Sequence, residues 1–191
     1  MDAEHLILER VRAGDHRALA SLIERHKDRA YTLAFRILGS RVEAEEVVQD
    51  AFLRAYQNIA SFRGDASFGT WLYRIVFNLS MTIRSRRRQP AQPLDTLVEE
   101  PAEGAYDDRT WDALDRLEHQ EQAALLERVL RSLPEQYRIA VELFYLQEQS
   151  YEEIVVIMGV PLGTVKTYLF RARKRLKVLL ARTADGKVMA A

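Results

Sequence analysis

At 191 residues and 48% apolar content, the chain is long enough for one ordinary domain or two small ones, and too apolar to be a disordered polymer. Having no cysteine, it can form neither disulfides nor thiolate metal sites, which suits a reducing compartment. Twenty-eight basic residues balance 28 acidic ones, so any polyanion partner has to be met by a local concentration of charge. The opening "MDAEHLILERVRAGDHRA" returns to charge within a few positions, so no signal peptide is expected. Without an apolar run of membrane-spanning length, a soluble, cytoplasmic chain with no membrane insertion is expected.

Helical periodicity dominates, and no run alternates as a strand would. Asp15 after Gly14 is placed to cap a helix whose stripe is Leu19, Leu22, Ile23, Ala30, Tyr31, Ala34, Ile37 and Leu38, ended by Gly39. Ser40 with Glu43 reads as a capping box opening a helix to about Ile59. Its apolar face is Val47, Val48, Ala51, Phe52, Ala55, Tyr56 and Ile59. The loop "SFRGDASF" precedes a third long helix, from about Thr70 to Arg87. Pro90, Pro93 and Pro101 then mark a linker. Between Leu94 and Glu121 ten acids (Asp95, Glu99, Glu100, Glu103, Asp107, Asp108, Asp112, Asp115, Glu118, Glu121) stand against Arg109 and Arg116 alone. Helical pattern resumes near Trp111, breaks at "SLPEQ" with Pro134 in a first-turn position, and continues to about Gln147. Ser150 and Glu153 form a second capping box. The expected fold is all-α: two small helical domains, 1–90 and 118–191, joined by a flexible acidic linker over 91–117.

The segment "SYEEIVVIMGVPLGTVKTYLFRARKRLK" is the most informative. Ile154, Val155 and Met158 stripe a short helix, and Gly159 permits a left-handed exit from it. Pro161 suits the start of the next helix. There Val165, Leu169, Ala172 and Leu176, spaced 4, 3 and 4, make one buried face, leaving Lys166, Thr167, Phe170, Arg171, Arg173 and Lys174 outside. From Gly163 to Arg182 there are seven bases and no acid. An ordinary solvated helix intersperses both signs. A helix-turn-helix that lays its second helix in a major groove uses basic side chains there, where Arg and Lys can bond guanine edges.

Taken whole, "LRSLPEQYRIAVELFYLQEQSYEEIVVIMGVPLGTVKTYLFRARKRL" resembles region four of bacterial RNA polymerase sigma factors, particularly the extracytoplasmic-function group. "AEEVVQDAFLRAYQNIASFRGDASFGTWLYRIVFNLS" is similar to sigma region two. The resemblance covers about Leu19 to Arg182. It implies that Lys166, Thr167, Phe170 and Arg171 face the −35 promoter element, with Arg173, Lys174 and Arg175 near phosphates or the polymerase. It implies further that the surface with Glu46, Gln49 and Asp50 docks on a coiled coil of the polymerase's largest subunit, and that the polymerase's flap region is a further contact. The same face, with Glu43, Glu46, Gln49 and Asp50, also reads as a plain solvated acidic first turn favoured by the helix dipole, which accounts fully for Glu43 and less well for Asp50, beyond that turn.

Opening a duplex without ATP requires contacts that repay unpairing, and aromatic faces, Arg and small polar groups supply them. Phe62, Arg63, Gly64, Asp65, Ser67 and Phe68, followed by Trp71, Tyr73, Arg74 and Asn78, are that kind of set. Trp71 and Phe68 also suit a purely structural role as core or loop anchors. In the family this loop captures a flipped −10 base and the following helix meets the element's edges. Arg84, Arg86, Arg87 and Arg88 are either phosphate contacts or solvated charge completing a helix end. Phe77 and Thr82 depart from the family's usual residues. The linker is either a plain tether or, as the resemblance implies, an acidic segment running through the RNA exit path.

Two rival classes make different demands. A stand-alone helix-turn-helix regulator would not need "FRGDASFGTW" and would bind DNA tightly alone. An enzyme would need chemistry that His5, His16, His26 and His119, without metal spacing, do not suggest. The expectation is a non-enzymatic sigma factor with no cofactor and no metal, partnered by polymerase core, promoter DNA and an anti-sigma factor under stress control.

Overall fold

The computed structural model describes residues 3–87 and 128–184. The acidic linker, the helix expected near Trp111 and Arg88 lie outside the described residues. Regular structure among the described residues is helical throughout: α1 Ala3–Arg12, α2 His16–Leu38, α3 Arg41–Gln57, α4 Phe68–Arg87, α5 Glu135–Val141, α6 Tyr151–Met158 and α7 Leu162–Ala184. The chain divides into two compact units, Met1–Asp95 with Glu152–Gly159, and Thr96–Tyr151 with Val160–Ala191.

In the first unit the helix ends follow local chemistry. Asp15 takes an extended conformation and its carboxylate accepts the N–H groups of Arg17 and Ala18, satisfying two orphan donors of α2. The Arg10 guanidinium grips the same carboxylate at 2.9 and 2.7 Å and, ahead of the Ala18 N–H, holds it below the usual carboxylate range. Gly39, at φ 70°, ends α2 by donating its N–H to the Phe35 carbonyl, a left-handed exit that glycine makes without steric cost. Ser40 Oγ accepts the Glu43 N–H at 3.5 Å. The Glu43 side chain pairs with Arg87, so the capping box is formed in one direction only.

Helices α2, α3 and α4 pack around Leu22, Leu33, Ile37, Val47, Leu72, Tyr73 and Val76, all buried. The inward face of α3 is largely alanine, with Ala44, Ala51 and Ala55 buried beside Val47, so its neighbours approach close to its backbone. Tyr56, expected on that inward face, is 37% exposed. Ala55, also expected there, holds that face without it, since Tyr56 lies one residue and so about 100° further around the axis. Helix α1 was not anticipated from periodicity. It is short, and only Leu8 and Val11 are buried while Leu6 is exposed, too few positions to reveal a 3.6-residue period.

In the second unit, Tyr137, Ile139, Ala140, Val141 and Leu143 are buried together with Val165, Leu169, Ala172 and Leu176 of α7. Pro134 is the N-cap of α5, one position outside the first turn. The helix expected to reach Gln147 is α-helical only to Val141 and continues as a π-helical stretch over Glu142–Leu146. There the Gln147 N–H reaches the Glu142 carbonyl at 3.0 Å, a five-residue span characteristic of π turns.

Burial of Tyr73 yields a pH prediction. Desolvation, the largest influence, pushes its phenol up to about 12. A folded-state pKa above the unfolded one gives stability that is complete below about pH 10 and lost as pH rises toward 12, some ~2–3 kcal/mol in all. Urea midpoints measured between pH 9 and 12 should therefore fall more steeply for the parent chain than for Tyr73→Phe. Equal slopes would show that Tyr73 titrates as if exposed.

Candidate nucleic-acid interface

The loop between α3 and α4 is built from its two ends. After the 3₁₀ turn Ile59–Ser61, Phe62 turns inward. At the far end Ser67 Oγ accepts the Thr70 N–H at 3.0 Å and shares a 2.8 Å bond with the Thr70 hydroxyl, capping α4 as serine does. Phe68, Leu72 and Val76 follow at four-residue intervals and are all buried. That spacing corrects the placement of Phe68 among the base-contacting residues: at 2% exposed it heads the buried stripe of α4. Its ring lies 6.1 Å from Phe62 and 5.8 Å from Trp71, and Phe62 and Trp71 lie 5.1 Å apart. Arg63, Gly64, Asp65 and Ser67 remain exposed above this aromatic base, while Phe62 and Trp71 are half-buried. Gly64 has φ +81° with nothing within 4 Å of the position a Cβ would take. Its requirement is conformational and owes nothing to space.

Beyond the loop, Arg74 and Asn78 are exposed on α4. A groove of ≈ 430 Å³ runs beside them, lined by Arg54, Asn58, Ser61, Trp71, Asn78 and Thr82 among others. The sequence reading missed Arg54 and Asn58. The signal available was their four-residue spacing at the end of α3, just ahead of the loop. Arg54 is held by Asp50, its Nε at 3.1 Å from both carboxylate oxygens, and Asn58 Nδ2 donates to the Arg54 carbonyl at 2.8 Å. Glu46 and Gln49 are exposed on α3 with Asp50 half-exposed. Val42 and Leu53, 66% and 54% exposed, accompany them with Tyr56 as an apolar component that the sequence reading did not name.

The cluster closing α4 is largely committed to the fold. Arg84 donates to the Ile37 carbonyl and Arg87 to the Leu38 carbonyl at 3.2 Å, where they satisfy the last carbonyls of α2. Arg86 is exposed.

The turn between α6 and α7 uses Gly159 at φ 68° and Pro161, whose carbonyl accepts the N–H groups of Thr164 and Val165. Lys166, Thr167 and Phe170 are half-exposed and Lys174 is exposed. The Thr167 hydroxyl donates back to the Gly163 carbonyl at 2.8 Å. Arg171, half-exposed, has Nη1 3.5 Å from the Tyr137 hydroxyl. Arg173 requires a correction. Only 8% exposed, it donates from Nε to the Tyr145 hydroxyl at 2.9 Å with its guanidinium 5.8 Å from that ring's centroid. It follows Leu169 by four residues, about 40° around the axis, which carries it to the inward flank. The Tyr168 phenol is raised by its partial burial and, secondarily, by Tyr137.

Comparison with known proteins gives the family. Residues 22–89 match the family Sigma-70 region 2 and residues 123–176 match Sigma-70, region 4. The chain is 38% identical over 175 residues to the ECF RNA polymerase sigma factor SigW of Bacillus subtilis, covering 89% of this chain and 92% of that protein. It is 36% identical over 182 residues to the ECF RNA polymerase sigma-E factor of Escherichia coli K12, covering 91% and 92%. Among solved structures it resembles CnrH in complex with the cytosolic domain of CnrY, with a TM-score of 0.66 and 25% identity over 94% of this chain and 98% of that one. The sigma factor RpoE of Bartonella quintana, solved with the anti-sigma factor NepR, shares the fold at a TM-score of 0.58 and 24% identity over 85% of this chain and 96% of that one. The chain belongs to the extracytoplasmic-function sigma factors of the sigma-70 family, and its function is that of a sigma factor in transcription. No single helix among the described residues is long and apolar enough to cross a membrane.

Two substitutions check the local assignments. Gly64→Asn, which tolerates left-handed backbone, should keep a higher melting temperature than Gly64→Val, for which that conformation costs about 1–2 kcal/mol. Equal melting temperatures would mean that the loop gives up this conformation without cost. Arg173→Ala should lower the melting temperature, with the loss of a charge-assisted bond of about 1.5–3 kcal/mol, and leave base preference at the −35 element unchanged. Altered base preference without loss of stability would return Arg173 to the DNA-facing set.

Proposed function

We propose that this sigma factor binds polymerase core through the α3 face containing Glu46, Gln49 and Asp50, and recognises the promoter through two separate surfaces. Lys166, Thr167, Phe170, Arg171 and Lys174 of α7 meet the −35 element. Phe62, Arg63, Gly64, Asp65, Ser67, Trp71, Arg74 and Asn78 receive and hold the −10 strand as it opens. The observation that carries this reading is the loop itself, whose Arg63, Asp65 and Ser67 stand exposed above the Phe62–Phe68–Trp71 cluster. Such a surface offers an unpaired base a cation, polar acceptors and aromatic edges without a large ordering cost. The −35 assignment draws on the uninterrupted positive charge of α7, which suits a phosphate-lined groove.

The division into a region-two domain over 1–90, an acidic linker over 91–117 and a region-four domain over 118–191 belongs to the same proposal. So does a cytoplasmic location, where core polymerase and promoter are. The second domain would also contact the flap region of the polymerase. An anti-sigma factor is the proposed inhibitor, because the sigma factor RpoE of Bartonella quintana, which shares this fold, was solved with the anti-sigma factor NepR.

Filter binding and permanganate footprinting of −10 thymines test the two surfaces together. Lys166→Ala or Arg171→Ala should cost about 1–3 kcal/mol at one −35 base pair if that side chain reads a guanine edge. Arg63→Ala or Asp65→Ala should spare closed-complex binding and impair opening. Loss of both steps to the same extent in both classes of variant would defeat the division of labour. Nanomolar, sequence-specific binding by the chain without polymerase would favour a stand-alone regulator.

A further inference from the structure

Helix α1 lies wholly outside residues 22–89 matched to Sigma-70 region 2, yet its two ends reach both ends of the loop. At its C-terminus, Arg12 Nη2 donates to the Phe62 carbonyl at 2.5 Å and Nε approaches the Ile59 carbonyl at 3.4 Å, while Nη1 bonds Glu9 at 2.6 Å. Ile59 opens the 3₁₀ turn and Phe62 follows its end, so the guanidinium spans the point where the helical chain gives way to the loop. A fork of donors suits two carbonyls set one turn apart. Near the N-terminus of α1, Glu4 Oε1 is 2.7 Å from His26 Nε2. The other ring nitrogen, Nδ1, is 3.1 Å from the Tyr73 hydroxyl. An ionised Glu4 can only accept, which places a proton on Nε2 and lets Nδ1 accept from Tyr73 in the neutral ring.

The His26 ring also packs edge-on to Phe68, with centroids 5.4 Å apart. Gly69 makes room for it, since a Cβ there would stand 3.1 Å from His26 Cε1. Phe68 is the buried ring of the aromatic base and the first residue of α4. Glu4 and Arg12 are eight residues apart on one helix, about 12 Å. They therefore act at opposite ends of the loop, one on its backbone at the entry and one, through His26, on its anchor at the exit.

We infer that α1 is a brace that fixes the loop 62–67 in its strand-receiving shape, with Arg12 and His26 as positioning residues for promoter opening. Arg12 uses backbone carbonyls, so its hold is independent of which side chains the loop presents. His26 holds Phe68 through packing and Tyr73 through a hydrogen bond, and Glu4 ties that unit to α1. The inference rests on the proposed role of the loop in opening. Its structural part, restraint of the loop, can be measured without that role.

The test uses full-length protein with core polymerase and compares Arg12→Met, His26→Leu and Arg63→Ala with the parent. Arg12→Met keeps the aliphatic stem and removes the donors. Amide hydrogen exchange in the free chain should speed by about tenfold over residues 62–67 in Arg12→Met, in proportion to the loss of a charged hydrogen bond, with exchange in α2 and α3 unchanged. Permanganate reactivity at −10 should fall in parallel while core affinity and closed-complex binding stay as in the parent. A promoter with a pre-opened −10 region should recover only part of the loss, because the loop must still be ordered around the strand. His26→Leu should loosen residues 67–70 in the same way.

Unchanged exchange over 62–67 in Arg12→Met overturns the brace, as does an equal rise throughout α2–α4, which would make α1 a general stabiliser. Normal opening in Arg12→Met with defective opening in Arg63→Ala removes the positioning role and leaves the loop's function standing. Normal opening in Arg63→Ala instead removes the loop from strand capture. The exchange data then decide separately whether α1 restrains it.

Discussion

The proposed strand-receiving surface of the first unit depends on the burial of one ring. Phe68 enters the core at the head of the stripe it shares with Leu72 and Val76, and Phe62 and Trp71 pack against it. Those contacts hold the two ends of a six-residue loop near each other, and Ser67 fixes the start of α4 just before the ring. Ordering one residue of a free loop costs about 1–2 kcal/mol. A loop ordered in advance leaves binding energy available for unstacking and unpairing DNA. Burial of Phe68 and exposure of Arg63, Asp65 and Ser67 are therefore two sides of one arrangement: the apolar residues spend their surface on position so that the polar ones need not.

Positive charge is distributed by the same logic. Counting bases along the sequence overstates what DNA can meet, because a guanidinium is also the best available donor for carbonyls that a helix end leaves over. Arg84 and Arg87 are bonded to the final carbonyls of α2, and Arg12 to carbonyls at the loop entry. Arg173 is turned into Tyr145. What remains outward among the described side chains of α7 is better defined: Lys174, Arg175 and Lys177 are exposed, and Lys166 and Arg171 are half-exposed on flanks of the helix. A net charge of zero is compatible with this, since groove binding responds to a few charges at short range and not to the sum.

How far the sequence revealed this depended on whether a feature is local. Caps at Asp15, Gly39 and Ser40, and the left-handed Gly159, follow from one or two residues and appear where the residue types put them. The buried face Val165–Leu169–Ala172–Leu176 was equally plain, because spacing alone defines it. Misplacements came where two residues compete for one face. Arg173 and Tyr56 carry side chains that ordinarily mark a surface and a core respectively, and position around the axis overrode type in both. The π-helical stretch at Glu142–Leu146 has no residue signature comparable to a glycine or proline. Helix α1 was invisible for lack of length, and its links to Ile59, Phe62 and His26 join positions 22 to 50 residues apart, a separation that no spacing rule covers.

Helix α3 shows why a docking face and a folding face can coexist on one thin element. Its inward side is made of Ala44, Val47, Ala51 and Ala55. Small side chains bury little area each, at roughly 25 cal/mol per Å², but they let α2 and α4 come close and pack their own larger residues. Leaving Val42, Leu53 and Tyr56 outward thus deprives the core of volume it has no room for. Asp50 is tied to Arg54, an exposed pair whose net worth in such positions is small, about 0.3–0.5 kcal/mol, so a partner's cation can exchange for Arg54 readily. A helix that contributes closeness to its own fold, and keeps its larger apolar residues beside exchangeable charges, has the composition of a surface available to a partner, which in the function proposed above is polymerase core.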